Sequence, residues 1–111
     1  MGGITLYEGN GANQNIVANY DDTDYAGRVT PSDEARSMKL YDVKAGTRII
    51  VYDSNDGSTD KPYCVIQVKA DVGQYIVPTF ERNIDDPAVS IEFNGYDGLD
   101  GKVSYIKIMA A

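Results

Sequence analysis

The 111-residue chain contains no histidine and no tryptophan, and its single cysteine is Cys64. Ser-His-Asp and Cys-His catalysis both need a neutral base near pH 7, which this chain cannot supply through histidine. One cysteine cannot form an internal disulfide, and without histidine a zinc site is nearly excluded as well. We therefore predict that the protein is not an enzyme, and that neither disulfides nor zinc build its fold.

Positive charge is scarce: 10 Lys and Arg stand against 17 Asp and Glu, a net charge of -7. Such a chain repels the phosphates of nucleic acids and the surface of anionic lipids. We therefore expect no nucleic acid partner and no membrane partner. Cations are the expected small partners.

Long apolar runs are also missing, since none approaches the roughly 20 residues that a membrane span needs. The start, Met1-Gly2-Gly3-Ile4, has neither the basic nor the apolar region of a signal peptide. These two absences favour a cytoplasmic protein.

No long amphipathic helix is predicted, because apolar residues recur in short runs rich in β-branched and aromatic side chains. Turn formers such as Asn-Gly and Asp-Gly separate these runs. Only residues 31–36 suit a short helical turn, since an N-cap serine and two acidic residues follow a proline there. The sequence therefore predicts an all-β antiparallel sandwich of about eight strands. The predicted strands cover residues 4–7, 16–17, 38–41, 48–52, 63–68, 74–77, 89–93 and 103–108.

An imperfect internal repeat divides the chain into two halves, about 1–44 and 45–111. Residues 4–11 (ITLYEGNG) match residues 49–57 (IIVYDSNDG), and 37–40 (SMKL) match 105–108 (YIKI). Apolar residues fall at alternate positions of the last pair, which puts them on one face of each strand. We interpret the chain as one domain whose second half carries extra material within 71–95.

At these residues the sequence resembles the βγ-crystallin family. Each half of such a domain opens with an aromatic-acidic hairpin, matched here by Tyr7-Glu8 and by Tyr52-Asp53. Each half closes with an N/D-N/D-x-x-S/T-S segment, which residues 32–37 and 100–105 match in part. The resemblance implies an antiparallel β-sandwich of two Greek keys, about 1–44 and 45–111.

The calcium-binding microbial members of that family imply two cation sites that both halves build together. Carried onto this chain, one site uses the carbonyl of Asp53, the hydroxyl of Ser104, the carboxylate of Asp33 and the backbone near Asp100. Calcium takes 6 to 8 oxygen ligands and accepts carbonyls, hydroxyls and carboxylates together. The resemblance therefore implies Ca²⁺ as the bound ion and a structural, stress-related or calcium-buffering role.

The counterpart site is degenerate in this chain. It would need the carbonyl of Glu8, a hydroxyl where Arg36 stands and a side chain where Gly101 stands. We expect one intact site, with the Arg36 guanidinium replacing the ion's charge at the other and bonding the loop carbonyls.

Two simpler readings stay open beside the calcium site. Asp33 and Ser104 are ordinary residues for a turn and a solvent-facing strand position, and Arg36 for an exposed surface. Nine tyrosines also allow a metal-independent β-sandwich binding module for a glycan or a protein partner.

Overall fold

The structure is a computed structural model that describes residues 2–95 and 97–111, so Met1 and Tyr96 lie outside the described residues. The described chain contains ten β-strands and no α-helix, and therefore no helix that could cross a membrane. The strands are β1 (Gly3–Gly9), β2 (Asn13–Asp21), β3 (Tyr25–Arg28), β4 (Ser37–Val43), β5 (Arg48–Tyr52), β6 (Tyr63–Val68), β7 (Val72–Val77), β8 (Ile84–Asp85), β9 (Val89–Asn94) and β10 (Tyr105–Met109).

Two antiparallel sheets build the molecule, which confirms the predicted all-β class. The first sheet has four strands in the order β2-β1-β4-β7. The second has six strands in the order β3-β10-β5-β6-β9-β8. Every strand pair in both sheets is antiparallel.

Two strands lie in the sheet opposite to their neighbours in the chain. β3 pairs with β10 in the second sheet, although β2 and β4 both belong to the first. β7 pairs with β4 in the first sheet, although β6 and β8 both belong to the second. The two halves of the chain are therefore interleaved, and the loop after β4, at residues 44–47, separates them.

One hydrophobic core fills the space between the sheets and draws on both of them. The alternate residues Met38 and Leu40 of β4, and Ile106 and Ile108 of β10, are all buried, as their shared pattern predicts. Cys64 lies in the same core, where burial raises the pKa of its thiol to about 12. This thiol therefore stays protonated and unreactive at neutral pH.

Two features of the predicted secondary structure were wrong. The count of about eight strands missed β3 and β8, which have four and two residues. Residues 31–36 form no helical turn, because their backbone groups bind other segments: Asp33 N–H donates to Val103 C=O, and Arg36 N–H donates to Tyr7 C=O. These long-range hydrogen bonds replace the local ones that a helix needs.

The segment 71–95 adds material to both sheets. Its β7 completes the edge of the first sheet, while β9 and β8 extend the second beyond β6. The Tyr75 hydroxyl on β7 donates to Asp86 Oδ2 at 2.6 Å, and Asp86 Oδ1 accepts the Ala88 and Val89 amides. One carboxylate therefore joins the edges of the two sheets.

We expect Tyr75→Phe to lower the free energy of unfolding by about 1 kcal/mol at pH 7, the usual worth of one hydrogen bond. The bond from Tyr75, followed by the Val89 amide, lowers the pKa of Asp86. The stability that the Tyr75–Asp86 hydrogen bond adds is therefore present above the ordinary aspartate pKa of about 3.9. It is lost as the pH falls through the lowered pKa of Asp86.

Burial, followed by the same hydrogen bond, raises the pKa of Tyr75 to about 12. The stability from this hydrogen bond is complete below the ordinary tyrosine pKa of about 10, and it is lost as the pH rises through about 12. Urea unfolding of wild type and Tyr75→Phe between pH 2 and pH 8 measures the loss of this stability in acid. A difference in the free energy of unfolding that does not shrink in acid would contradict this account of the Tyr75–Asp86 bond.

Candidate cation site

The two closing segments, 32–37 and 100–105, lie side by side and bind each other symmetrically. Asp33 N–H donates to Val103 C=O at 3.0 Å, and Gly101 N–H donates to Ala35 C=O at 2.9 Å. Each bond therefore joins the second residue of one segment to the fourth residue of the other. Both second residues have left-handed backbones, with φ of 62° at Asp33 and 80° at Gly101.

Each closing segment is also bound to the opening hairpin of its own half. Arg36 N–H donates to Tyr7 C=O, and Ser104 N–H donates to Tyr52 C=O, both at 2.8 Å. Arg36 and Ser104 are the fifth residues of their segments. The repeat inferred from the sequence therefore corresponds to a repeated set of backbone hydrogen bonds.

The structure brings the side chains of Asp33 and Ser104 together, although they lie 71 residues apart in the chain. Ser104 Oγ donates to Asp33 Oδ1 at 3.1 Å, and it lies 3.4 Å from Lys102 C=O. Ser104 is buried, whereas Asp33 is exposed. A carboxylate oxygen, a hydroxyl and a carbonyl oxygen thus lie close together, and of the two side chains that of Asp33 is exposed to solvent.

Asp53 follows Tyr52, whose carbonyl accepts the Ser104 amide, and its own amide donates to Pro62 C=O at 3.0 Å. The Tyr52 ring packs against the rings of Tyr63 and Tyr105, with centroids 6.1 Å and 5.8 Å apart. These contacts hold the backbone of Tyr52, the residue before the predicted carbonyl ligand Asp53, beside Ser104.

The donor set of this site is hard and oxygen-only, which fits calcium better than a transition metal. Across residues 2–95 and 97–111, no group of three or more Cys, Asp or Glu side chains is placed to hold a metal. A site at Asp33 and Ser104 would therefore depend on one carboxylate, one hydroxyl and backbone carbonyls, with water for the rest.

At the counterpart position the Arg36 side chain lies against Gly101. A Cβ built on Gly101 would stand 3.1 Å from one terminal nitrogen of the guanidinium and 3.4 Å from Cζ. Glu8 Oε1 accepts a hydrogen bond from Asn15 Nδ2 at 3.1 Å. The ion pairs found among the described residues, Lys69–Asp85 and Lys102–Asp97, do not involve Arg36.

Among the described residues no hydrogen bond joins the Arg36 guanidinium to a loop carbonyl, and its role in place of an ion stays a prediction. The side chain lies against Gly101, the one residue of the turn that lacks a Cβ. Arg36 is exposed. Its contact with Gly101 is therefore one of packing.

Asp100 supplies its side chain to a different cluster, which the sequence did not reveal. Its carboxylate accepts Asn10 Nδ2 at 2.7 Å, Thr79 Oγ1 at 2.5 Å and the Phe80 amide at 2.8 Å. In return, Glu81 Oε2 accepts the amides of Leu99 and Asp100 at 2.9 Å and 2.7 Å. The Asp100 carboxylate is thus engaged by three hydrogen bonds within the protein.

The chain matches no family model, no curated protein and no solved structure.

Proposed function

We propose that this chain is a βγ-crystallin-type domain of two Greek keys that exchange one strand each. In this description β1 to β4 form the first key, and β5, β6, β7 and β10 form the second. The positions of β3 beside β10 and of β7 beside β4 support the exchange. The hairpin of β8 and β9 is then the additional material of the second half.

We further propose that the domain binds one calcium ion without catalysing a reaction, in a structural, stress-related or calcium-buffering role. The observation that carries this proposal is the contact between Asp33 and Ser104, the two side chains that the resemblance assigns to the intact site. A buried hydroxyl paired with an exposed carboxylate from the other half gives an ion a place to bind.

Four groups of this chain would hold the ion: the Asp33 carboxylate, the Ser104 hydroxyl, the Asp53 carbonyl and the backbone of Asp100. Asp33 belongs to the first half, while the other three belong to the second. The ion would therefore cross-link the two halves. Because the unfolded chain cannot assemble such a site, calcium would bind the folded state and stabilise it.

Exposed apolar groups on the first sheet favour a second candidate, a metal-independent binding module for a glycan or a protein. Tyr41 and Ile76 are 37% and 41% exposed on its outer face, and Lys39 Nζ lies 5.0 Å from the centre of the Tyr41 ring. Ile16 on β2 is 54% exposed. Aromatic rings flanked by polar side chains are able to stack on sugars.

Isothermal titration calorimetry distinguishes the two functions. With metal-free protein we expect heat on addition of Ca²⁺, fitted by one site per chain, and none with soluble oligosaccharides. Asp60→Ala is the control for the loss of one negative charge, because it removes an exposed acidic side chain outside the site and should keep the heat with calcium. No heat with calcium, together with heat from a sugar that Tyr41→Ala abolishes, would favour the binding module instead.

A further inference from the structure

The additional segment after β7 reaches back to the turn that begins the second closing segment. Residues 79–81 and 99–100 exchange hydrogen bonds in both directions: the Asp100 carboxylate binds residues 79 and 80, and the Glu81 carboxylate binds the amides of residues 99 and 100. We call these two carboxylates and their partners the carboxylate clamp. No such pair of carboxylates is found in the described part of the first half, residues 2–44.

The clamp also includes the first hairpin through Asn10. Its amide nitrogen lies 2.7 Å from Asp100 Oδ2, 3.3 Å from Pro78 C=O and 3.4 Å from Arg36 C=O. Oxygens from three separate segments therefore surround one amide group. At Asn10, protein side chains therefore cross-link these segments, as an ion would do at the proposed calcium site.

The turn held by the clamp contains the Asp100 backbone. Lys102 N–H donates to Leu99 C=O at 2.9 Å, and the left-handed Gly101 closes this turn. Leu99 is fully buried at the start of the turn, and Ser104 follows two residues after its end. Restraint of Asp100 therefore acts on the residues that lead to the Ser104 hydroxyl.

We propose that Glu81 and Asp100 are positioning residues, which fix the turn 99–102 so that its backbone and Ser104 are arranged for a cation before the cation binds. This inference rests on the proposed calcium function for its effect on affinity. A site that is already arranged binds more tightly, because the apparent dissociation constant rises as the binding-competent fraction falls. Hydrogen bonds to ionised carboxylates are strong enough to impose such an arrangement.

The first test measures calcium affinity in Glu81→Ala, with Glu81→Gln as the conservative variant that keeps an oxygen acceptor. We expect the dissociation constant to rise at least threefold in Glu81→Ala and to return most of the way in Glu81→Gln. Asp85→Ala controls for charge, since its partner Lys69 lies outside the clamp. Tyr75→Phe controls for a general loss of stability.

Equal affinities in Glu81→Ala and in both controls would overturn the proposal. So would an equal loss of affinity in Tyr75→Phe at the same loss of stability, because a purely structural effect would then suffice.

The second test does not depend on calcium and uses amide hydrogen exchange of the metal-free protein. Loss of Glu81 removes the direct acceptor of the amides of Leu99 and Asp100, so these must exchange faster in any case. If the clamp positions the turn, the amides of Gly101, Lys102 and Ser104 must also exchange faster, by at least threefold. Unchanged exchange at these three amides would refute the positioning role.

The two tests separate the two hypotheses. Wild-type protein that binds no calcium would refute the proposed function, while the exchange of Gly101, Lys102 and Ser104 would still decide whether the clamp holds the turn.

Discussion

Calcium at about 100 times its dissociation constant is expected to raise the melting temperature of this protein by roughly 10 to 20 °C. Linkage gives about 2.7 kcal/mol of stabilisation at that concentration for a ligand that binds only the folded state. For a domain of about this size, each kcal/mol corresponds to several degrees. Differential scanning calorimetry with and without Ca²⁺ measures the shift.

Asp33→Ala and Ser104→Ala are each expected to remove most of this rise, since they delete the two side-chain ligands of the site. The Ser104 change also leaves Asp33 without its hydrogen-bond donor from the other half. The rise in melting temperature, taken for each variant against its own metal-free form, separates ligand loss from general destabilisation. A full rise in both variants would show that calcium, if it binds, binds elsewhere.

The backbone at Asp33 requires one further control. Its φ of 62° lies in the left-handed region, where alanine costs roughly 1 to 2 kcal/mol. Asp33→Gly removes the carboxylate without that cost, and Gly101 shows that glycine suits the equivalent place in the other segment. The metal-free melting temperature should therefore fall less in Asp33→Gly than in Asp33→Ala, while the calcium response is lost in both.

Most of the strands could be predicted because short runs rich in β-branched and aromatic residues, separated by turn formers, mark them. The predicted 48–52 and 63–68 agree with β5 and β6 over their whole length. β3 could not be found this way, since Tyr25-Ala26-Gly27-Arg28 has no β-branched residue and its conformation depends on pairing with β10, about 80 residues later. The local sequence pattern of a strand does not show which distant strand it will pair with.

The side chains of Asp33 and Ser104 could be related from the sequence because the family resemblance implies that the two closing segments share a site, and the repeat sets those segments in register. The carboxylate clamp could not, since Thr79 and Glu81 lie in material that the first half lacks. Asp100 was recognised as the first residue of its segment, but the partners of its carboxylate depend on where the chain after β7 returns. A repeat predicts only what both copies share.

The asymmetry between the two halves leads to a prediction about stoichiometry. The wild type is expected to bind one calcium ion, because Arg36 and Gly101 provide no oxygen ligand from their side chains at the counterpart position. Arg36→Ser removes a positive charge and supplies the hydroxyl that Ser104 provides at the intact site. With Gly101 unchanged, the second site should be weak, with a dissociation constant in the upper part of about 10⁻⁴ to 10⁻³ M.

Arg36→Ser should cost little stability in the absence of calcium. Its guanidinium rests against Gly101 and joins neither of the ion pairs found among the described residues, so the change loses packing but no charge pair. Exposed side chains without such a partnership usually contribute less than about 0.5 kcal/mol. Urea unfolding of metal-free Arg36→Ser measures this cost, and a loss of several kcal/mol would mean that the guanidinium bonds the loop after all.

The double variant Arg36→Ser with Gly101→Asp should create a second calcium site whose stabilising effect appears only when the ion is present. An aspartate is compatible with the left-handed backbone there, because Asp33 adopts the same conformation at the equivalent residue. In Gly101→Asp alone the new side chain would stand beside the exposed Arg36 guanidinium, whose positive charge opposes a cation there, so that variant should bind no second ion. Titration calorimetry should find two ions in the double variant and one in the wild type. Two equal sites in the wild type, or a single site in the double variant, would mean that Arg36 is an ordinary surface residue.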